Sequence, residues 1–396
     1  MRLLTRTILC AVTVVGVFGL GCGARTQLGE PTQTRDQVTD PVQVVRDCRA
    51  SYAGPSAQSG TLGAVPFPPM LEAIGDLRLG WDGTLWFIAL IPNAEHSVGH
   101  LSTIGKAEVF PLPPGTNPAF LDIGSDHAFW FVDNLSPHIV RIALAGQVSE
   151  FELPHRVPTT GHLTLGNDGR LWYGSLHTSA VGSVSAQGAI AEYGVPNGFF
   201  PGPLPSPDGL LIVSNAPCEG CPFLLDRLSN DGVFQSYTPL HEIRCVSLSR
   251  NGDLWLSSSS TLMRIGAAGS SATYPLPANW QNVCPDELTE GADGDVWFRW
   301  RGVDDKIGRF SGGTLTNYSL EAERKPGGPR SLVYGPDANL WFIETGRNQI
   351  ARLSKNGAFS EFSPSKPDSQ LSSLTLGSDC NLWIEQTAKR VEFIRP

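Results

Sequence analysis

PDANLWFIETGRNQIARLSKNGAFSEF, residues 336–362, is one complete copy of a unit that the rest of the chain repeats. A tight turn (Pro336, Asp337, Ala338, Asn339) leads into an apolar run carrying Trp341 and Phe342. A second run follows at 350–353, then a Lys355, Asn356, Gly357 turn, then a third run ending in Glu361 and Phe362. Short apolar runs bounded by Asn-Gly and Asp-Gly turns read as strands and hairpins. Three such strands cannot bury their apolar faces alone, but stacked copies can, so the unit predicts a repeat.

The repeat is there. Trp86, Trp130, Trp172, Trp255, Trp297, Trp341 and Trp383 recur at equivalent positions, with Ile212 filling the one gap, at intervals of 40 to 44 residues. A four-stranded propeller blade takes about 40–45 residues. The expected fold is therefore all-β, a β-propeller of eight four-stranded blades. Seven is the alternative, because the fourth copy lacks Trp and crowds Pro201, Pro203, Pro205 and Pro207. Each copy runs from an inner strand through the Trp strand and a third strand to an outer strand. The outer strands end in an aromatic: Phe110, Phe151, Tyr193, Tyr237, Tyr274, Tyr318 and Phe362. The last copy stops without one, while an orphan outer strand, residues 64–68, precedes the first Trp. That N-terminal strand is expected to complete the eighth blade and leave the ring no open edge.

The Trp residues read as packing. Burying one indole removes about 200 Å² from water, near 5 kcal/mol gross, which is reason enough to repeat it. The turns at Asp82-Gly83, Asp168-Gly169, Asp208-Gly209 and Asp293-Gly294 lack the staggered oxygen ligands of a calcium loop and read as hairpin turns.

Composition agrees. The 396 residues include 43 Gly and 31 Pro, and only 17% are charged, a profile rich in turns and poor in helix-forming charge. The net charge of −9, with no Lys/Arg run, argues against nucleic acid or an anionic membrane surface as partner. Residues 1–21 carry Arg2 and Arg6 before an apolar run, as a secretory signal does. Gly19-Leu20-Gly21-Cys22 resembles a bacterial lipobox, which makes Cys22 the lipidated first residue; ordinary cleavage after Ala24 is the alternative. Residues 22–60 are polar and read as a tether, leaving 61–396 for the propeller. The expectation is an exported protein held in the cell envelope through its lipid, or else a soluble periplasmic or secreted one.

An exported chain with an even set of cysteines suggests disulfides. Cys245 and Cys284 each start the inner strand of adjacent blades, so they are expected to be neighbours joined by a bridge. Cys380 lies in the first turn of the last blade, on the side where the segment carrying Cys48 must arrive. Cys218 and Cys221 form Cys-Glu-Gly-Cys in a loop. With no second such pair and no β-α-β context, a small structural bridge is a better reading than a redox or metal pair.

The letters of residues 291–298 (GADGDVWF), followed by Ile307-Gly308-Arg309, and Trp341-Phe342-Ile343-Glu344, resemble the streptogramin B lyase (virginiamycin B lyase) propeller family over roughly residues 61–396. That resemblance implies elimination at the ester of a cyclic depsipeptide antibiotic, aided by magnesium. It also implies an E-x-H leading into an inner strand, a Glu three residues after the blade Trp, and a further His elsewhere. The chemistry needs a base for the proton beside the carbonyl and a cation for the developing enolate. Glu344 matches the Glu. In its own blade Gly328 and Arg330 stand where Glu and His belong, and no copy has His at that position.

Loops leading into the inner strands, and those between second and third strands, open on one end of such a propeller. The sequence places Asp76, His162, His177, Glu242, Arg244, Asp286, Glu287, Arg299, Trp300 and Arg330 there. His162 is the candidate general base, with Asp286 or Glu287 to hold a metal; a His that merely satisfies a backbone carbonyl is the plainer reading. Arg244, Asp286 and Arg330 also read as an ion-pair ring between blades. Trp300, flanked by Arg299 and Arg301, reads as a loop aromatic and the best single ligand contact. The expected function is a ligand- or protein-binding module lacking the assembled E-x-H. The alternatives are a magnesium-dependent carbon–oxygen lyase with a rearranged site and, more distantly, a lactonase-like metalloenzyme.

Overall fold

The computed structural model describes residues 47–48, 60–66, 71, 73–91, 95–118, 120–155, 163–175, 180–195, 203–206, 209–215, 223–229, 231–237, 243, 245–248, 253–258, 260–266, 270–276, 284–291, 293–301, 306–320, 328–367, 370–386 and 390–396. They form eight four-stranded antiparallel sheets. Blade one is β2 (Ala73–Leu79), β3 (Leu85–Ile91), β4 (Glu95–Leu101) and β5 (Ala107–Pro111), innermost strand first. The next six follow the same order: β6 (Asp122–Ile123) to β9 (Val148–Glu152), β10 (Thr164–Leu165) to β13 (Ile190–Gly194), β14 (Pro203–Ser206) to β17 (Phe234–Tyr237), β18 (Cys245–Leu248) to β21 (Ser271–Pro275), β22 (Cys284–Glu290) to β25 (Thr314–Ser319), and β26 (Pro329–Tyr334) to β29 (Phe359–Phe362).

Blade eight has three strands from the C-terminus, β30 (Leu371–Leu376), β31 (Leu382–Gln386) and β32 (Arg390–Ile394). Its outer strand is β1 (Leu62–Pro66), in register from Leu62 opposite Ile394 to Pro66 opposite Arg390. The N-terminal strand thus completes the last blade, and β30 lies against β2 of blade one. Blade four is a full sheet despite its missing Trp. Pro203 and Pro205 lie in its innermost strand, which pairs on one side only, so the missing N–H groups cost few ladder bonds.

Each antiparallel blade has two ends. Turns joining first to second and third to fourth strands lie at one, the turn end. Loops joining second to third strands, and the connections between blades, lie at the other, the loop end. Turn-end contacts run from blade to blade: Trp81 stacks on His127 at 4.1 Å, Ser125 Oγ donates to Gly169 O at 2.6 Å, and Ser378 Oγ donates to Gly83 O at 2.6 Å.

A single packing unit repeats there. The Asp of the turn accepts from the indole N–H four residues on: Asp126 from Trp130 (3.0 Å), Asp168 from Trp172 (3.2 Å), Asp337 from Trp341 (2.9 Å) and Asp379 from Trp383 (2.9 Å). An Arg covers the ring and reaches the same carboxylate, as Arg141 does over Trp130 and Arg170 over Trp172. Burial works against ionising Asp126, yet the Trp130 and Arg141 hydrogen bonds hold its carboxyl below the ordinary range. In blade one His100 takes the Arg place, stacked on Trp86. The seven Trp side chains are fully buried. Outer-strand aromatics stack on them, Phe362 on Trp341 and Phe151 on Trp130, both at 5.4 Å.

The next blade's third turn then covers that aromatic with a glycine. A Cβ on Gly188 would come within 1.9 Å of Phe151, and one on Gly60 within 2.6 Å of Phe362. Gly60 thus fills in blade eight the place that Gly188 fills in blade three. The N-terminal segment packs as well as pairs.

The disulfide of Cys48 with Cys380 is present, Cα–Cα 5.3 Å, and Cys380 sits in the turn before β31. Cys245 and Cys284 begin the adjacent inner strands β18 and β22; their side chains, like all of Cys218, Cys221, Cys22 and the signal-like stretch, lie outside the described residues.

Candidate functional site

Inner strands are edges, and their outward N–H groups need partners. Side chains of the neighbouring blade supply them. Asp122 Oδ2 accepts from Leu163 N (2.7 Å), Asp76 Oδ2 from Leu121 N, Glu287 Oε2 from Ser331 N, and Glu385 Oε2 from Leu77 N (3.3 Å). Ser331 Oγ accepts from Leu374 N (2.7 Å) and donates to Leu374 O (3.3 Å). Asp76, Glu287 and Ser331 have φ of 54°, 49° and 54°, where the register of β2, β22 and β26 shifts. Each bulge turns one side chain toward the neighbouring blade.

The candidates fall on this belt in two groups. Glu287 pairs with Arg299 (3.4 Å), whose guanidinium also donates to Pro329 O (3.5 Å), beside exposed Arg330. Among the described residues, this is the one place where the structure brings called residues together. Asp76 lies elsewhere, paired with Arg78 (2.9 Å) and close enough to Glu385 for its charge to act there. Glu385 is 3% exposed. Burial lifts its carboxyl above the ordinary range, against hydrogen bonds from Ser373, Ser372 and Leu77 N, with the charge of Asp76 adding to the rise.

Trp300 is not in a loop. It lies within β23 (Val296–Arg301), 3% exposed, with its indole N–H on Asn317 Oδ1 (2.9 Å) and its ring edge-on to Phe298. Strand alternation sends Arg299 toward Glu287 and Trp300 into the core between blades five and six. The backbone of Asp286 is in β22, but its side chain, together with His162, His177, Glu242 and Arg244, lies outside the described residues.

Residues missed in the sequence are Asp122, Ser331 and Glu385. Their signal was faint: a polar residue eight to ten positions before a blade Trp or, for Glu385, a Glu just after one.

Magnesium fits poorly in blade seven. Glu344 is 5% exposed at the end of β27 (Leu340–Glu344), but exposed Arg330 stands where the E-x-H would put His and Gly328 offers no carboxylate. Among the described residues no three His, Cys, Asp or Glu side chains gather as metal ligands.

A family model described as the virginiamycin B lyase family matches residues 57–204 and 227–394. Among solved structures, a catalytically inactive virginiamycin B lyase from Staphylococcus aureus with quinupristin is similar at 21% identity and TM-score 0.55, over 85% of this chain and 99% of that one. A streptogramin B lyase structure is similar at 22% identity and TM-score 0.54, over 84% and 97%. At these identities the likeness shows the fold. A search of curated proteins finds no significant match.

Proposed function

This chain belongs to the virginiamycin B lyase family, and from that premise we propose that it keeps the family's propeller while using its loop end for binding rather than for lyase chemistry. The observation that carries this is blade seven. The Glu after the Trp is present, but an exposed guanidinium occupies the His position and no carboxylate occupies the Glu position two residues earlier. A fixed positive charge there competes with a metal ion and cannot accept a proton. Of the expected face carboxylates, the two whose side chains are described, Asp76 and Glu287, accept backbone N–H groups of the next blade and pair with Arg78 and Arg299. Such roles position backbone and leave little freedom for a general base.

The protein is further proposed to be exported and anchored through Cys22. The signal-like residues 1–21 and the Cys48–Cys380 disulfide support export, since such bridges persist in oxidising compartments. Its ligand is a small molecule or a protein segment meeting Arg299, Arg330 and Glu287. His162, His177, Glu242, Arg244 and Asp286 are proposed to complete that face.

The test is direct incubation of the purified protein, with magnesium, against a streptogramin B antibiotic. Elimination adds no water, so the linear product has the mass of the ring and must be separated by chromatography and identified by fragmentation. The expected result is intact ring. Ring opening that disappears in His162→Ala establishes the lyase reading instead.

A further inference from the structure

The N-terminal segment leaves the propeller at one particular end, and two independent features fix which. Cys48 is bonded to Cys380, in the turn between β30 and β31, a turn-end position whose neighbour Ser378 hydrogen-bonds the matching turn of blade one. β1 also begins at the turn end. β32 runs back from the loop end, and β1 is antiparallel to it, starting with Leu62 opposite Ile394. Gly60 N donates to Arg395 O at 2.7 Å, which closes the same end just before β1. The loop end lies one strand length away, about 20 Å for seven residues.

We propose that the turn end faces whatever surface the N-terminus is fixed to, a lipid surface if Cys22 is acylated, and that the loop end is presented away from it. The inference rests on the anchored reading for the identity of that surface, but not for the direction. Whatever holds the chain upstream of Asp47 holds it from the turn end, because the disulfide and the strand both deliver it there. The loop end, with Arg330 and the Glu287–Arg299 pair, is then open to a partner arriving from the solvent or from an opposing surface.

Each end carries exposed apolar reporters. Ile104 (91% exposed) and Val233 (59%) sit in turns between third and outer strands; Leu135 (66%) and Phe120 (38%) sit in loop-end connections. Hydroxyl-radical footprinting of the intact chain in isolated membranes, compared with detergent-released chain, reads all four by mass spectrometry. The expected result is severalfold lower oxidation of Ile104 and Val233 on the membrane, with Leu135 and Phe120 unchanged. Protection of Leu135 and Phe120 equal to or greater than that of Ile104 and Val233 overturns the inference. If the chain partitions into the aqueous phase, the anchored reading has failed. The direction is then tested on chain biotinylated at its N-terminal amine and held on a streptavidin surface, with the same expected and overturning patterns. Cys48→Ser, measured the same way, is expected to keep the pattern because β1 still starts at the turn end; an inverted pattern contradicts it.

Discussion

The turn end of each blade and its inner strand are built on different plans. At the turn end one set of residues, an Asp in the turn, a Trp four residues on and a covering cation or aromatic, recurs in blades one, two, three, seven and eight. Along the inner strands, between the two ends, each junction is made differently: Asp76 to Leu121, Asp122 to Leu163, Glu287 to Ser331, Ser331 to Leu374, Glu385 to Leu77. Repetition marks a shared need, a buried wedge between blades. Variation marks where the blades are free to differ, and a ligand face has to be assembled from differences.

Breaking the turn end should cost most. Trp341→Ala empties a fully buried site between blades and is expected to destabilise by about 3–5 kcal/mol in denaturant unfolding. Cys48→Ser removes a bridge spanning 332 residues and is expected to cost about 2–4 kcal/mol, read the same way under non-reducing conditions. On the inner strands, Ser331→Ala leaves Leu374 N–H and C=O without their partner and is expected to cost about 1–2 kcal/mol.

The two regions should also respond oppositely to pH. The Asp126 carboxyl is held below its ordinary 3.8 in the folded chain, so its stabilisation is present above that value and is lost as pH falls through the lowered one. Glu385 is raised above 4.5, so its contribution is complete below 4.5 and is lost as pH rises toward the raised value. Asp126→Asn is expected to flatten the acid limb of a stability–pH curve, and Glu385→Gln the segment just above 4.5. Unfolding midpoints across pH check both. The smallest effect belongs to Arg330→Ala: an exposed side chain whose loss should change stability by less than about 0.5 kcal/mol while weakening whatever binds the loop end.

The same division explains what the sequence made legible. Trp spacing, turn chemistry, the orphan first strand and the Cys48–Cys380 pairing are all consequences of one repeated geometry, so they could be counted along the chain. The belt could not. Its members join different blades, use different letters and depend on bulges where non-glycine residues take positive φ, as at Asp76 and Glu287. Trp300 misled for a related reason. Two flanking Arg residues suggested a loop, whereas in the strand Arg299 alternates with a ring that points into the core. The family resemblance was readable because its letters are packing letters, which is also why it says little about catalysis.

The central claim is that the repeated turn-end unit holds the eight blades as one cooperative ring, leaving the inner-strand junctions to vary. Hydrogen exchange resolved by mass spectrometry tests it most directly, on β7 (Phe129–Val132), β23, β27 and β31 together. These strands are expected to exchange at one common slow rate, set by global unfolding, that rises in all four with Asp337→Ala and in none with Arg330→Ala. Separate rates for separate blades, or acceleration confined to blade seven in Asp337→Ala, would contradict it.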